Sequence, residues 1–300
     1  MKRELKPRGV VSDVSAELQN LQRQRSVILK SRNMQANRLQ AIVAGTLGYA
    51  SSMEEKDRAK KFIEATAVIK AVDEGADHQF ASIIRTTLVG IQSFELLKKQ
   101  LEKEMVKAAK TLPVKSWVEL PEQRGFGLLF LAIVIGETGD LANYANPAKV
   151  WRRLGCAPYS FDGKNQMGST WRSGKNGKLP AEAWEAFGYS PRRRSIAFLI
   201  GEGIVKQNFF VTGSGADGDT AVESEISNAG PYRSRYEETK AKIQAAHLDY
   251  SKLRCHRHGM LLATKMLLKN LWVSWNPGKG YAWASGDTSD ETEDVLAAAH

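Results

Sequence analysis

The stretch GLLFLAIVIGETGDLANYANPAKVWRRLGCAP, at residues 127–158, decides how this chain is interpreted. It opens with the longest apolar run of the protein, Leu128 to Ile135, which predicts a buried helix and is too short to span a membrane. Gly125-Phe126-Gly127 precedes this helix and has the form of a helix-hairpin-helix turn, in which glycines approach a phosphate and the N–H groups of the helix start bind it. A tight turn between two packed helices explains the same pattern, and both interpretations stay open.

The same stretch continues with the pattern Glu-x-Gly-Asp, then an aromatic residue, a proline, basic residues, Leu-Gly and a last proline. These places are filled without a gap by Glu137, Gly139, Asp140, Tyr144, Pro147, Lys149, Leu154, Gly155 and Pro158. The block resembles the C-terminal domain of the DEDD-type insertion-sequence transposases, the family that includes the bridge-RNA-guided recombinases and the pilin invertases. Downstream, PYRSRY (residues 231–236) and the segment 258–272 look like the closing part of that domain, so the resemblance covers about residues 117–275.

Full members of that family begin with a ribonuclease H-like domain. Its four carboxylates form the metal site for the reactions on nucleic-acid strands. Such a domain needs alternating apolar strands that carry acids, and no such strands are predicted in residues 1–113. The first part of this chain instead resembles the coiled-coil element that family members carry between their two domains. The resemblance therefore implies a transposase-like domain without its metal site, for which a partner protein with a ribonuclease H-like domain would supply the carboxylates.

The family nucleophile is a serine that follows the Leu-Gly block, in a stretch like Ser-Gly-Gly-Lys. This chain reads YSFDGK at residues 159–164, so alignment on its glycine and lysine puts Phe161 at the serine's place. A shift of one residue recovers Ser160, which is the candidate catalytic residue. The alternative is a turn serine that hydrogen-bonds the backbone.

Basic residues are concentrated between positions 146 and 194, where ten of them stand against three acids. The ten are Lys149, Arg152, Arg153, Lys164, Arg172, Lys175, Lys178, Arg192, Arg193 and Arg194. Aromatic residues interleave with them and offer faces for stacking on bases. Together with Gly125, Gly127, Arg233 and Arg235, these ten are the predicted nucleic-acid-binding residues, whereas a solvated charged face is the alternative.

The first 112 residues predict a helical arm that associates with a second copy. A helix capped by Ser12 or Asp13 carries apolar residues at a 4-3 spacing, from Val14 and Leu18 to Leu39 and Ile42. Two arginines and a glutamine, Arg25, Arg32 and Gln35, interrupt this seam, which indicates a modest interface. Gly45 and Gly48 end the helix, and two more helices are predicted at residues 53–72 and 77–110, before Pro113.

The remaining divisions of the chain follow its composition. Residues 113–276 form the predicted transposase-like domain, with a mobile loop at about 211–230 that is rich in glycine and aspartate. Residues 277–300 are acidic and predict a disordered tail. The two cysteines, Cys156 and Cys255, are far apart in sequence, and the neighbouring His256 and His258 are a weak pattern for a metal site.

The predicted protein is therefore mainly α, with a helical or coiled-coil arm and a helical domain that contains a helix-hairpin-helix element. Its net charge of +10 and pI near 9.5 favour polyanionic partners, namely DNA and also a guide or structured RNA. We expect a DNA-binding protein of recombination or transposition, located in the cytoplasm, without a membrane anchor, cofactor or metal ion. The alternatives are an active recombinase that uses Ser160 and a non-catalytic structural protein of a phage or mobile element.

Overall fold

The computed structural model describes residues 8–157, 159–161, 164–166, 190–211 and 226–279, and it confirms that the fold is mainly helical. The helices are α1 (Arg8–Thr46), α2 (Glu55–Asp73), α3 (Ala81–Ala109), α4 (Lys115–Val118), α5 (Leu128–Thr138), α6 (Pro147–Arg153), α7 (Pro191–Gln207), α8 (Pro231–Ala246) and α9 (Lys252–Trp275). Two 3₁₀ helices lie at Pro121–Gln123 and Leu141–Asn143. The strands are β1 (Tyr159–Phe161), β2 (Lys164–Gln166), β3 (Phe209–Val211) and β4 (Ile226–Ala229).

The chain divides into two compact units. The hairpin unit comprises residues 20–107, and the larger unit comprises residues 1–19 with residues 108–300. Within the described residues up to position 113, all regular structure is helical. None of the helices that the structure describes combines the length and the apolar character needed to cross a membrane.

In the hairpin unit, α1 and α3 run antiparallel. Arg25 pairs with Glu102 at 2.7 Å, and seven residues further along α1 Arg32 pairs with Glu95 at 2.9 Å, seven residues earlier on α3. The two arginines that interrupt the predicted seam are thus compensated by glutamates of the same chain. The apolar residues at the far end of the seam, including Leu39 and Val43, form a buried cluster with residues of α2 and α3.

Several predicted details of these helices are wrong. The first helix begins at Arg8, so Ser12 and Asp13 lie inside it rather than at its cap. Ile42 is exposed, because the buried face of α1 passes through Val43 instead. The third helix begins at Ala81, since the residues before it form a turn in which the Ala81 N–H donates to the carbonyl of His78 at 2.8 Å.

In the larger unit, two tryptophans of α9 hydrogen-bond to the block of residues 127–158. The indole N–H of Trp275 donates to the Asp140 carboxylate at 2.8 Å, and that of Trp272 donates to the Tyr144 carbonyl at 3.1 Å. Asp140 also caps the second 3₁₀ helix, and Asn146 caps α6, which begins with a proline. Asp140 and Asn146 of this block therefore have local structural roles.

Helix α7 packs against both α5 and α9. Phe130, in the first turn of α5, lies against Gly203 near the end of α7, whereas Glu137 near the end of α5 pairs with the start of α7. α5 and α7 are therefore antiparallel. A Cβ at Gly201 of α7 would lie 2.5 Å from the hydroxyl oxygen of Thr264 and 2.7 Å from Cγ of Met260, so α7 and α9 also pack closely at this glycine.

The predicted loop at residues 211–230 is wrong at its edges. Ile226–Ala229 form strand β4, which pairs antiparallel with β3 and brings Phe209 opposite Ala229. A buried side chain, that of Asn208, fixes the base of this ribbon: its amide donates to the carbonyls of Glu122 and Arg124 at 3.0 Å each. Residues 212–225 and the acidic segment 280–300 lie outside the described residues.

We expect the Arg25–Glu102 pair to stabilise the hairpin unit measurably, because its side chains are only 16% and 20% exposed. A double-mutant cycle with Arg25→Ala and Glu102→Ala, read by urea unfolding, should give a coupling of about 1 kcal/mol. The control is the solvent-exposed Lys70–Glu74 pair on α2, for which we expect no measurable coupling. Equal coupling energies for the two pairs would contradict this account of the seam.

Candidate nucleic-acid interface

A buried carboxylate gathers the basic residues at the start of α7. The Glu137 side chain is 1% exposed, and its Oε2 accepts hydrogen bonds from Arg192 Nη2 at 2.8 Å and from Arg193 Nε at 3.3 Å. Arg153, at the end of α6, donates from Nε to the backbone carbonyl of Glu137 at 3.3 Å. We call Glu137, Arg153, Arg192 and Arg193 the Glu137 cluster.

The Glu137 cluster carries three positive charges against one negative charge. Burial lowers the pKa of Arg193, the neighbouring Arg153 lowers it further, and Glu137 acts in the opposite direction. The charges of Arg153 and Arg193 also act on Tyr144. Burial raises the pKa of its phenol, while the two arginines oppose that rise. The guanidinium groups are thus close enough to repel one another.

The residues of the cluster differ in exposure. The Arg192 side chain is 47% exposed and that of Arg193 is 19% exposed, so Arg192 presents most of the charge to solvent. Lys149 and Arg152 of α6 are also exposed. Arg194 instead donates from Nη1 to the carbonyl of Gly155 at 2.6 Å and ties α7 to the turn after α6. The predicted basic residues thus divide into exposed ones and ones with structural roles.

The glycine turn lies at the opposite end of α7 from these arginines. Gly125 has a φ of +94°, and a Cβ there would lie 2.7 Å from the carbonyl oxygen of Gly203. The glycine is thus required by close helix packing. Gly127 precedes α5 and faces open space. Because Arg192 and Gly203 are eleven residues apart on one helix, the turn and the Glu137 cluster are separated by about 17 Å.

Arg233 and Arg235 are not brought to the Glu137 cluster either. Arg233 pairs with Glu237, and it donates from Nη1 to the carbonyl of Val205 at 2.7 Å, near the end of α7. Its guanidinium also lies 5.1 Å from the ring centroid of Phe209. These contacts make Arg233 part of the packing between α7 and α8. Arg235 is half-buried on α8.

The predicted nucleophile Ser160 lies in the centre of strand β1, where it is the register partner of Asn165. Lys164 lies on strand β2, opposite Phe161. Three further predicted binding residues, Arg172, Lys175 and Lys178, lie outside the described residues. In the described ranges, no three histidine, cysteine, aspartate or glutamate side chains lie close enough to hold a metal ion.

Both cysteines are reduced and buried. Burial raises the pKa of Cys156 to about 11, with Arg194 and Lys265 opposing the rise. A thiol with this pKa is protonated at neutral pH, so Cys156 is a packing residue and not a nucleophile.

The sequence interpretation missed a second basic region at the start of α9. Arg254 lies over the ring of Tyr250 with its Cζ 3.5 Å from the centroid, and Arg257 is exposed one turn later. Ser251 caps this helix by accepting a hydrogen bond from the Arg254 N–H at 3.2 Å. The sequence signal for this region is a serine cap followed by two arginines, and it overlaps the cysteine and histidines that form the weak metal pattern.

A comparison with known protein families, curated proteins and solved structures finds no match.

We expect Glu137→Gln to destabilise the larger unit by about 3 kcal/mol, because the partly buried guanidinium groups of Arg192 and Arg193 lose their counter-charge. The substitution keeps the volume of the side chain, so the effect measures charge rather than packing. The matched control is Glu238→Gln, the same chemical change at an exposed position of α8. Chemical denaturation checks both variants, and similar unfolding free energies would show that the cluster is not structural.

Proposed function

We propose that this chain is a nucleic-acid-binding protein derived from a transposase or recombinase, and that it acts in DNA recombination or transposition. A partner with a ribonuclease H-like domain would supply the catalytic carboxylates. Two observations support the proposal. The block at residues 127–158 resembles the family's C-terminal domain, and the Glu137 cluster gathers three arginines on the same part of the chain.

The observation that carries the proposal is the placement of Arg192, Arg193 and Arg194 in the first turn of α7. The N-terminus of a helix is already positive, so cations there are unfavourable unless an anion compensates them. Glu137 accepts from Arg192 and Arg193 through its carboxylate and from Arg153 through its backbone carbonyl, which gathers these cations at one surface. A phosphate backbone is an anion that such a cationic surface attracts, and the exposed Lys149 and Arg152 extend the same basic character along α6.

The test uses exposed residues, because Arg193 and Arg194 hold Glu137 and the backbone of Gly155 and their loss would disturb folding. In the double variant Lys149→Gln/Arg152→Gln, we expect weaker binding to a DNA duplex, with similar losses for unrelated sequences. The slope of log affinity against log salt should become shallower by about 2, measured by anisotropy between about 50 and 200 mM salt.

The control for this test is Lys56→Gln/Lys60→Gln, which removes the same charge from exposed positions of α2. This control should keep the affinity and the salt slope of the unaltered protein. If both double variants lose binding equally, net charge alone would account for it, and if neither does, α6 is not the binding surface.

We also infer that the hairpin unit associates with a second copy, as a coiled-coil arm would. The inner face of α1 meets α3 of the same chain, so the outer face is the one available. Large apolar side chains are exposed on this unit, namely Val27, Met34, Ile42, Ile63, Ile83, Val89, Leu96 and Leu97. Apolar surface of this extent on a soluble unit favours association.

We expect Leu96→Gln/Leu97→Gln to abolish this association while preserving the fold, because both side chains are exposed. Sedimentation velocity over a range of concentrations should show an associating unaltered protein and a variant that stays at the smallest species. Leu120→Gln/Leu248→Gln removes two exposed leucines from the larger unit and serves as the control. Identical sedimentation of all three proteins would refute this role of the hairpin unit.

A further inference from the structure

A cleft of about 1090 Å³ lies between the first turns of α7 and α9. Pro191 and Ser195 line it from one helix, and Ser251 and Leu253 line it from the other. Because these residues belong to the starts of α7 and α9, both helix N-termini adjoin the same space. Each contributes a positive partial charge, so the cleft is positive before any side chain is counted.

Side chains add to this positive charge. Arg194, Arg254 and Arg257 line the cleft, and no aspartate or glutamate is among the described residues that line it. His258 lines it as well, but burial lowers the pKa of this imidazole, and Arg254 and His247 lower it further. His258 is therefore neutral near pH 7, and three arginines supply the side-chain charge.

The walls of the cleft carry large apolar side chains beside the arginines. Phe198, Leu199 and Leu253 line it and remain between 40% and 55% exposed, which is costly for large apolar side chains. Met260 and Leu261 line it as well. A ligand that covers these walls needs flat apolar faces together with several negative charges.

We propose that this cleft binds a single-stranded segment of nucleic acid, with unstacked bases on Phe198, Leu199 and Leu253 and phosphates at the three arginines. In a duplex the flat faces of the bases are covered by stacking, whereas an unpaired strand exposes base faces and phosphates together. The cleft exceeds the roughly 300–1,000 Å³ of pockets for drug-sized ligands, which leaves space for more than one nucleotide. The inference rests on the proposed nucleic-acid binding and gives it a second surface with a different preference.

The experiment measures anisotropy of fluorescein-labelled oligothymidine, oligouridine and a DNA duplex with the full chain. Phe198→Ser should weaken binding of the single strands about tenfold, because base stacking is lost, and should leave their salt slope unchanged. Arg257→Gln should weaken single-strand binding and make its salt slope shallower by about 0.7. Neither variant should alter duplex binding. The two single strands differ only in sugar and base methyl group, and their relative affinity tells which nucleic acid the cleft prefers.

Two controls separate the cleft from general effects. Val273→Ser removes an exposed apolar side chain of α9 that is not part of the cleft, and Lys242→Gln removes an exposed charge from α8. Both controls should bind single strands like the unaltered protein. Melting curves of all four variants should coincide, since every altered side chain is exposed.

The outcomes distinguish this inference from the proposed function. In one outcome, single-strand binding survives Phe198→Ser and Arg257→Gln while duplex binding still depends on Lys149 and Arg152. That result would refute the single-strand site in the cleft and leave the proposed function standing. Absence of binding to every probe would overturn both. A synthetic peptide of residues 286–298 that displaces oligothymidine from the unaltered protein but fails to do so from the Arg257→Gln variant would assign the cleft to an acidic peptide segment instead.

Discussion

The charged surface of the larger unit depends on the ion pairs that the buried Glu137 carboxylate forms with Arg192 and Arg193. A carboxylate that is 1% exposed is costly unless cations and donors surround it, and here α7 provides two guanidinium groups while α6 provides one to the adjoining carbonyl. The dependence is mutual, since three arginines could not share this space without a negative charge. One residue thus connects α5, α6 and α7, and it brings three arginines together at one surface.

The directions of the helices then determine where positive charge accumulates. Because α7 is antiparallel to α5, its start meets the carboxylate near the end of α5, whereas its end meets the glycine turn before α5. Residues at the starts of α7 and α9 line one cleft, so two helix N-termini adjoin it. Tight packing of Gly201 against Thr264 and Met260 holds these two helices together. Their positive ends remain available for an anion.

The sequence predicted the helices because they depend on periodicity and on proline and glycine signals, as the seam from Leu18 to Leu39 illustrates. It could not predict that Arg25 and Arg32 are paired by glutamates more than sixty residues away, because an antiparallel register is a long-range property. For the same reason, charge density along the chain suggested one basic site beside Gly125. The structure places that glycine at one end of α7 and the arginines at the other, and a second basic region comes from Arg254 and Arg257, far away in sequence.

Consecutive residues on a helix point about 100° apart, so the first and third arginines of a run of three face nearly opposite sides of the helix. Arg192 and Arg193 reach the Glu137 carboxylate, while Arg194 reaches the carbonyl of Gly155 and lines the cleft on the other side. The first turn of α7 thus lies between two positive surfaces of different character. The surface around Glu137 and α6 is polar and suits phosphates alone, whereas the cleft adds exposed apolar walls that a duplex cannot cover. If nucleic acid meets both surfaces, the paired and unpaired parts of one molecule would be separated by a single helical turn of protein.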